Sequence, residues 1–314
     1  MEMLVGYTGF VGSNLAKSHS FEQLINSKNV ETAFGSQPDL CVYAGIRAEK
    51  FLANQNPLQD RAHIEDAIHN LELIRPKRLV LISTIDVFQN PNGVSETAPV
   101  DMQNLHPYGY NRYLLENWVR HHIEAYHIVR LPGLFGENLK KNFIYDLIHL
   151  IPSMLNKPKY DELSEKSPLI AASYSLMENG FYGLNGVGKE HQSSLKLAFE
   201  KTGFSALNFT DSRGVFQFYS LSYLWNHIEL QIKNELPLLH LAVEPTSACE
   251  VFSAVKGYDF VNKIAQVPPV YDFHTEYARL FSGESPYIFN KTKVLTDIVR
   301  FVQMQMNCIE KAKL

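Results

Sequence analysis

MEMLVGYTGFVGSNL, residues 1–15, decides how the rest of the chain is read. Met3, Leu4 and Val5 form a short apolar strand. Gly6, Gly9 and Gly12 follow at three-residue intervals, and Ser13, Asn14 and Leu15 open a helix. A strand that runs through a glycine-rich turn into a helix N-terminus is a phosphate cradle. Glycine lets the backbone turn tightly and approach a ligand, and the helix's free N–H groups and positive dipole end favour an anion. An ordinary strand–turn–helix corner would use the same residues, but a place on the first strand favours the nucleotide.

Length and composition bound what surrounds this turn. The 314 residues can bury a large core, as one large domain or a large one with a smaller lobe. The chain is 45% hydrophobic and 20% charged, with a formal net charge of −4. No basic excess exists to neutralise phosphates, so partnership with nucleic acid or an anionic membrane is not expected. Cys41, Cys249 and Cys308 lie far apart with no partner at ligand spacing, which reads as reduced thiols. Cys41, inside an apolar run, reads as a small buried hydrophobe. The start of the chain lacks a signal pattern, and no window approaches the ~18–20 apolar residues of a membrane span. A cytoplasmic location is expected.

Downstream, Phe21 to Ile25 reads as a second strand, followed by Asn26, Ser27, Lys28 and Asn29. Dinucleotide folds carry an acidic residue there for the adenosine ribose. Here Ser27 and Lys28 stand in its place, and a hydroxyl and a cation suit a 2′-phosphate. NADP is therefore expected over NAD, unless Lys28 is a solvated loop residue. Leu40 to Gly45 is a buried strand, whose end places Ala44, Gly45 and Ile46 beside a dinucleotide. Ile64, Ala67, Ile68 and Leu71 form one stripe of a helix from about Asp60 to Ile74, stopped by Pro76. Leu79 to Ile82 is a fully apolar run of the kind found in a central parallel strand. The order strand–helix–strand–strand–helix–strand argues a doubly wound α/β sheet.

A helix is expected over Tyr108 to Tyr126, a strand over His127 to Leu131, and a helix over Phe143 to Ile151 before Pro152. Residues 157–208 are polar, carry no motif, and read as largely helical around Ser193 to Lys201. A helix from about Ser220 to Asn234, a strand at Leu238 to Val243 and a last amphipathic helix over Lys291 to Lys311 complete the chain. A dinucleotide-binding domain is expected from residues 1–150 and about 209–245. About 151–208 and 246–314 would form an interleaved substrate lobe.

Two clusters carry chemistry. Ser83 and Thr84 end the central strand, where a hydroxyl would face the crevice above the sheet. Tyr108 begins a helix with Arg112 at i+4, on the same face. No histidine or cysteine grouping has zinc spacing, so no metal is expected.

These residues resemble the extended short-chain dehydrogenase/reductase superfamily, the NAD(P)-dependent sugar epimerases, dehydratases and reductases. GYTGFVG is similar to its dinucleotide loop, LISTIDVF to its central strand with the hydroxyl that ends it, and Tyr108 to Arg112 to its Tyr-x-x-x-Lys signature. VRLPGLFGENLKKNF resembles its Arg-then-Phe/Tyr-Gly loop, and FQFYSLSYLWNHIE with LHLAVEP its late helix and strand. The likeness covers the first 150 residues well, residues 210–250 moderately, and the segment between not at all.

The resemblance implies a Rossmann-type fold with hydride transfer on a sugar, most simply a nucleotide-linked one. Tyr108 would be the general base, Thr84 would polarise the reacting oxygen, and Arg112 would take the lysine's place. It implies cofactor contacts from Gly6, Thr8, Gly9, Phe10, Val11, Gly12, Ser27, Lys28, Ala44, Gly45, Ile46, Ser83, Tyr108, Arg112 and Leu131. Asp86, Lys141 and Asn142 would meet the substrate, with a homodimer formed through the helices at Asp60–Ile74 and Tyr108–Tyr126. Arg112 departs from the pattern. A guanidinium keeps the charge and can hold a ribose diol, but it cannot give up a proton. The alternatives are a cofactor clamp, a helix whose Arg112 binds Glu116, or a regulatory or scaffold protein that binds NAD(P) without turnover. A reductase of non-sugar carbonyls is a further possibility.

Overall fold

Four near-continuous apolar runs form the middle of a parallel sheet in the computed structural model, which describes residues 1–311. They are β1 (Glu2–Val5), β3 (Leu40–Tyr43), β4 (Leu79–Thr84) and β5 (Tyr126–Leu131). β2 (Gln23–Ile25) and β6 (Leu238–His240) complete six strands, ordered β2-β1-β3-β4-β5-β6 with every pairing parallel. Strands buried on both faces lose the apolar–polar alternation of a half-exposed sheet, which is why these runs read as solid blocks of Leu, Val and Ile.

The chain leaves β1 toward β2 on one side and returns to β3 on the other, so the order reverses at β1. In open α/β sheets ligands bind outside the carboxyl ends of the strands at such a reversal. The glycine turn sits there.

The chain divides into two compact units. The first comprises residues 1–139, 215–246 and 270–297 and contains the whole six-stranded sheet. On one face, α3 (Pro57–Ile74) and α4 (Pro107–His122) bury Ile64, Ala67, Leu71, Leu115 and Val119 against Met3, Val5, Cys41, Tyr43, Leu79 and Leu81. Each buried Leu, Ile, Val or Met among them contributes about 1.5–3 kcal/mol relative to exposure. Cys41 is fully buried and burial pushes its thiol up to about 12, so it behaves as a hydrophobe. Near the other strand faces, α1 (Phe10–Ser18) packs beside the helix Leu224–Lys233.

The second unit comprises residues 140–214, 247–269 and those from Ile298 onward. Helices Lys157–Lys166, Pro168–Ser173 and Gln192–Thr202 enclose Leu155, Leu163, Ile170, Tyr174, Leu195 and Phe199. A three-stranded antiparallel sheet of Met154–Leu155, Tyr182–Leu184 and Tyr174–Leu176 accompanies them. Strands of two and three residues carry too little periodicity to stand out in sequence.

Several boundaries differ from the sequence reading. α1 begins at Phe10 rather than Ser13, because Gly9 takes the N-cap position and Gly12 falls within the first turn. A short helix, α2 (Lys50–Gln55), precedes α3 and has no counterpart in that reading. α4 ends at His122, and Tyr126 opens β5 instead of closing the helix. The helix expected from Ser220 starts at Leu224, after a 3-10 turn over Leu221–Tyr223. Among the described residues, no helix is long and apolar enough to cross a membrane.

Candidate active site

The turn after β1 is fixed by backbone contact. Gly6 has φ +90°, its N–H donates to the Ile25 carbonyl at 2.7 Å, and its carbonyl accepts from the Gly9 N–H at 2.9 Å. A Cβ at Gly12 would stand 2.1 Å from that same Gly6 carbonyl oxygen. The glycines therefore let α1 start directly against the end of β1. Gly9 caps α1 without any side-chain hydrogen bond, and a Cβ there would meet only the Gly6 carbonyl, at 3.3 Å. Gly9 and Thr8 are exposed, Phe10 and Val11 are half-buried, and Gly12 is buried. Ser27 and Lys28 lie exposed just beyond β2, where the Asn26 side-chain oxygen accepts the Lys28 N–H at 2.8 Å. Ala44, Gly45 and Ile46 leave the end of β3, and Leu131 is buried at the end of β5.

β4 delivers the two hydroxyls to different places. The Ser83 hydroxyl donates to Glu116 Oε1 at 2.6 Å in the core. Ser83 therefore belongs to a buried ionic network and is not aimed into the crevice, which corrects its expected place beside the cofactor. Strand alternation sends the next side chain the other way. Thr84 Oγ1 accepts the Asp86 N–H at 3.1 Å, capping the 3-10 turn Ile85–Val87, and the Thr84 hydroxyl bears on the Tyr108 phenol.

α4 starts where it does because Pro107 occupies its first turn and the His106 ring accepts the Gly109 N–H at 3.0 Å. Gly109 permits a close approach: a Cβ there would lie 2.1 Å from the Asp86 carbonyl oxygen. With that approach, and with Asn54 of α2 accepting the Tyr108 N–H at 3.0 Å, the phenol is set against the end of β4. Burial pushes the Tyr108 phenol above the ordinary tyrosine range. Arg112 opposes that rise, Asp86 adds to it, and the Thr84 hydroxyl and Lys50 pull against it.

Arg112 is 5% exposed, and its terminal nitrogens donate to Asp60 Oδ2 of α3 and to the Arg47 carbonyl. Asn111 donates to the same Asp60 oxygen at 2.8 Å. The guanidinium carbon lies 4.1 Å from the centroid of the Tyr108 ring. Both terminal nitrogens of the guanidinium thus make a hydrogen bond within the protein. The alternative pairing of Arg112 with Glu116 is also corrected, because Glu116 is held by Arg130 and Arg120. Burial works against the Glu116 charge, yet the two arginines hold its carboxyl below the usual range.

Sequence reasoning missed Lys50, Tyr271, Asp60 and Asn54. Lys50 Nζ lies 2.8 Å from Asp86 Oδ1 and 3.2 Å from the Tyr271 hydroxyl, which itself lies 3.3 Å from Asp86 Oδ1. No local pattern marks these residues, and Tyr271 reaches Asp86 from far along the chain. In the second unit, Asn142 has φ +106° and its side-chain oxygen accepts the Tyr145 N–H at 3.1 Å, so it caps the helix Phe143–His149. Lys141 precedes it.

Neither a protein-family model nor a curated protein matches the sequence. Solved structures do match. A dTDP-4-dehydrorhamnose reductase from Bacillus anthracis in complex with NADP is 16% identical, with a TM-score of 0.61 over 96% of each chain. The Bordetella bronchiseptica enzyme WbmG, in complex with NAD and UDP, is 14% identical, with a TM-score of 0.60 over 97% of this chain and 94% of that one. TunA, an NAD-dependent NDP-hexosamine 5,6-dehydratase of tunicamycin biosynthesis, is 13% identical, with a TM-score of 0.61 over 96% and 97%. At these identities the likeness establishes the fold alone, a Rossmann-type α/β fold shared with these enzymes.

Proposed function

We propose that the chain is an NAD(P)-dependent oxidoreductase or epimerase acting by hydride transfer on a carbohydrate, most simply a nucleotide-linked sugar. The observation that carries this reading is the packing of the head of α4, with Tyr108, against the turn that follows Thr84 at the carboxyl end of β4, in the unit that also holds the glycine turn. The structural neighbours crystallised with NADP, or with NAD and UDP, support the same class.

The turn fits a dinucleotide. Its backbone is open at Gly9, and no side chain caps α1 to compete with an anion. Gly6, Thr8, Gly9, Phe10, Val11 and Gly12 would hold the diphosphate, with Ala44, Gly45, Ile46 and Leu131 flanking the rest. Ser27 and Lys28 would meet a ribose 2′-phosphate, which favours NADP. When bound, the nicotinamide supplies or accepts the hydride. Thr84 donates to the reacting oxygen, and Tyr108 gives or takes its proton. Arg112 holds the Tyr108 ring and lends it positive charge. Asp86 is the proposed contact to the sugar, and Lys141 and Asn142 those to the nucleotide. A homodimer through α3 and α4 accompanies this reading, as does a division of labour in which the first unit binds the dinucleotide and the second the substrate.

The engagement of Arg112 by Asp60 and Arg47 favours a second reading, a dinucleotide-binding protein without turnover. Purified protein mixed with NADPH or NADH and a panel of nucleotide sugars separates the two, by nicotinamide absorbance and product mass. Turnover that disappears in Tyr108→Phe while cofactor binding persists establishes the enzyme. Cofactor binding with no turnover on any sugar selects the second reading, and no binding of either cofactor removes both.

A further inference from the structure

Beside the Thr84–Tyr108 pair stands a charged cluster around Asp86, whose Lys50 and Tyr271 have no assigned role. Lys50 comes from the start of α2, Asp86 from the turn after β4, and Tyr271 from the chain beyond the last sheet strand. One carboxylate oxygen, Asp86 Oδ1, takes both the ammonium at 2.8 Å and the Tyr271 hydroxyl at 3.3 Å. The Lys50 side chain is 38% exposed and that of Asp86 19%, so the cluster is partly open to solvent.

Geometry ties the cluster to Tyr108 by three routes. The Asp86 N–H donates to Thr84 Oγ1, the hydroxyl that bears on the phenol. Gly109, next to Tyr108, lies against the Asp86 carbonyl. α2, which begins at Lys50, receives the Tyr108 N–H on Asn54.

The groups that bear on the phenol come from every element around it. Arg112 lies over its ring from α4, with its charge met by Asp60 of α3. His106, at the head of α4, has its ring centroid 6.2 Å from that of Tyr108, and its N–H acceptor role at Gly109 requires one ring nitrogen unprotonated. Burial, then Lys50, push the His106 ring below its usual range. With Arg112 paired and His106 neutral, the balance of charge at the phenol rests on Asp86 and on what neutralises it.

We propose that Lys50 is a positioning residue that neutralises Asp86 and so keeps a bare carboxylate from standing beside the Tyr108 phenol. This rests on Tyr108 being the group that moves the proton. Through Asp86, Lys50 sets how readily the phenol releases that proton, and Tyr271 holds the ammonium and the carboxylate in register. Burial works against the Lys50 charge, but Asp86 and Tyr271 outweigh it and hold the ammonium above the ordinary lysine range, so it remains a cation at neutral pH.

The test titrates residue 108 directly. A fluorinated tyrosine, whose phenol ionises near neutrality, replaces Tyr108 in the full-length chain, and its ionisation is followed by ultraviolet absorbance. Lys50→Met exposes the phenol to an unpaired Asp86 and is expected to raise its midpoint by about one pH unit, a tenfold change in ionisation. Asp86→Asn lowers the midpoint by a similar amount, and Lys50→Arg leaves it near the parent value. A midpoint that is unmoved or lowered in Lys50→Met overturns the inference. If circular dichroism shows that Lys50→Met does not fold, the other two variants decide, and an unmoved Asp86→Asn or a displaced Lys50→Arg overturns it. The titration needs neither cofactor nor turnover. Shifts without activity on any sugar would leave the electrostatic role standing while the proposed function falls.

Discussion

Replacing Arg112 by lysine separates two roles for this residue. If Arg112 chiefly clamps α4 to α3 and to the Arg47 carbonyl, the substitution costs stability. The side chain is 5% exposed and its Asp60 partner 7%, so its contacts are made out of water. A lysine ammonium keeps one charge opposite Asp60, where Asn111 still donates at 2.8 Å. It cannot also reach the Arg47 carbonyl, which loses a charge-assisted hydrogen bond of about 1.5–3 kcal/mol. It also loses the planar stacking on Tyr108, worth roughly 0.5–2 kcal/mol. The expected loss is about 2–5 kcal/mol, read as a lower denaturation midpoint in urea with an unchanged slope. Arg112→Met, which strands Asp60 as a buried unpaired carboxylate, should cost more, about 3–5 kcal/mol. Calorimetric NADPH binding, measured where each variant is folded, should change little. Intact stability with a tenfold or greater loss of NADPH affinity would refute the clamp and return Arg112 to the ribose.

Glu116→Gln should destabilise by about 3–5 kcal/mol, since Arg130 is left buried without its counter-charge, and chemical denaturation measures it. The double substitution Glu116→Met with Arg130→Met should recover much of that loss. The folded carboxyl of Glu116 lies below its unfolded value of 4.5, so its stabilisation is fully present above that value. It is lost as pH falls through the folded value, and thermal melts of wild type and Glu116→Gln should therefore converge on the acid side. Gly12→Ala places a methyl 2.1 Å from the Gly6 carbonyl, which should cost about 1–3 kcal/mol or more and weaken dinucleotide binding together with stability. Asn142→Ala removes the cap on Tyr145 and should cost about 1 kcal/mol, visible as a small drop in melting temperature.

The doubly wound sheet was legible because its signals are local. β1, β3 and β4 are buried, so each shows an apolar run (Met3–Val5, Leu40–Tyr43, Leu79–Ile82), and α3 shows as a stripe at helical spacing. The last helix, Lys291–Lys311, was legible for the same reason. Thr84 and Tyr108 could be picked out because a strand end and a helix start have local marks. The antiparallel strands of the second unit could not, being two or three residues long.

What the sequence determined alone is the succession of the long strands and helices of the main sheet and the glycine turn between β1 and α1, since both depend on residue spacing along one segment. Which partner each charge takes was decided only by the tertiary structure. Ser83 turns to Glu116, Arg112 to Asp60, and Lys50 meets Asp86 and Tyr271 across long stretches of chain. A charged side chain is steered by what becomes buried with it, because desolvation makes an unpaired charge costly. Those partners exist only once the helices have packed on the sheet.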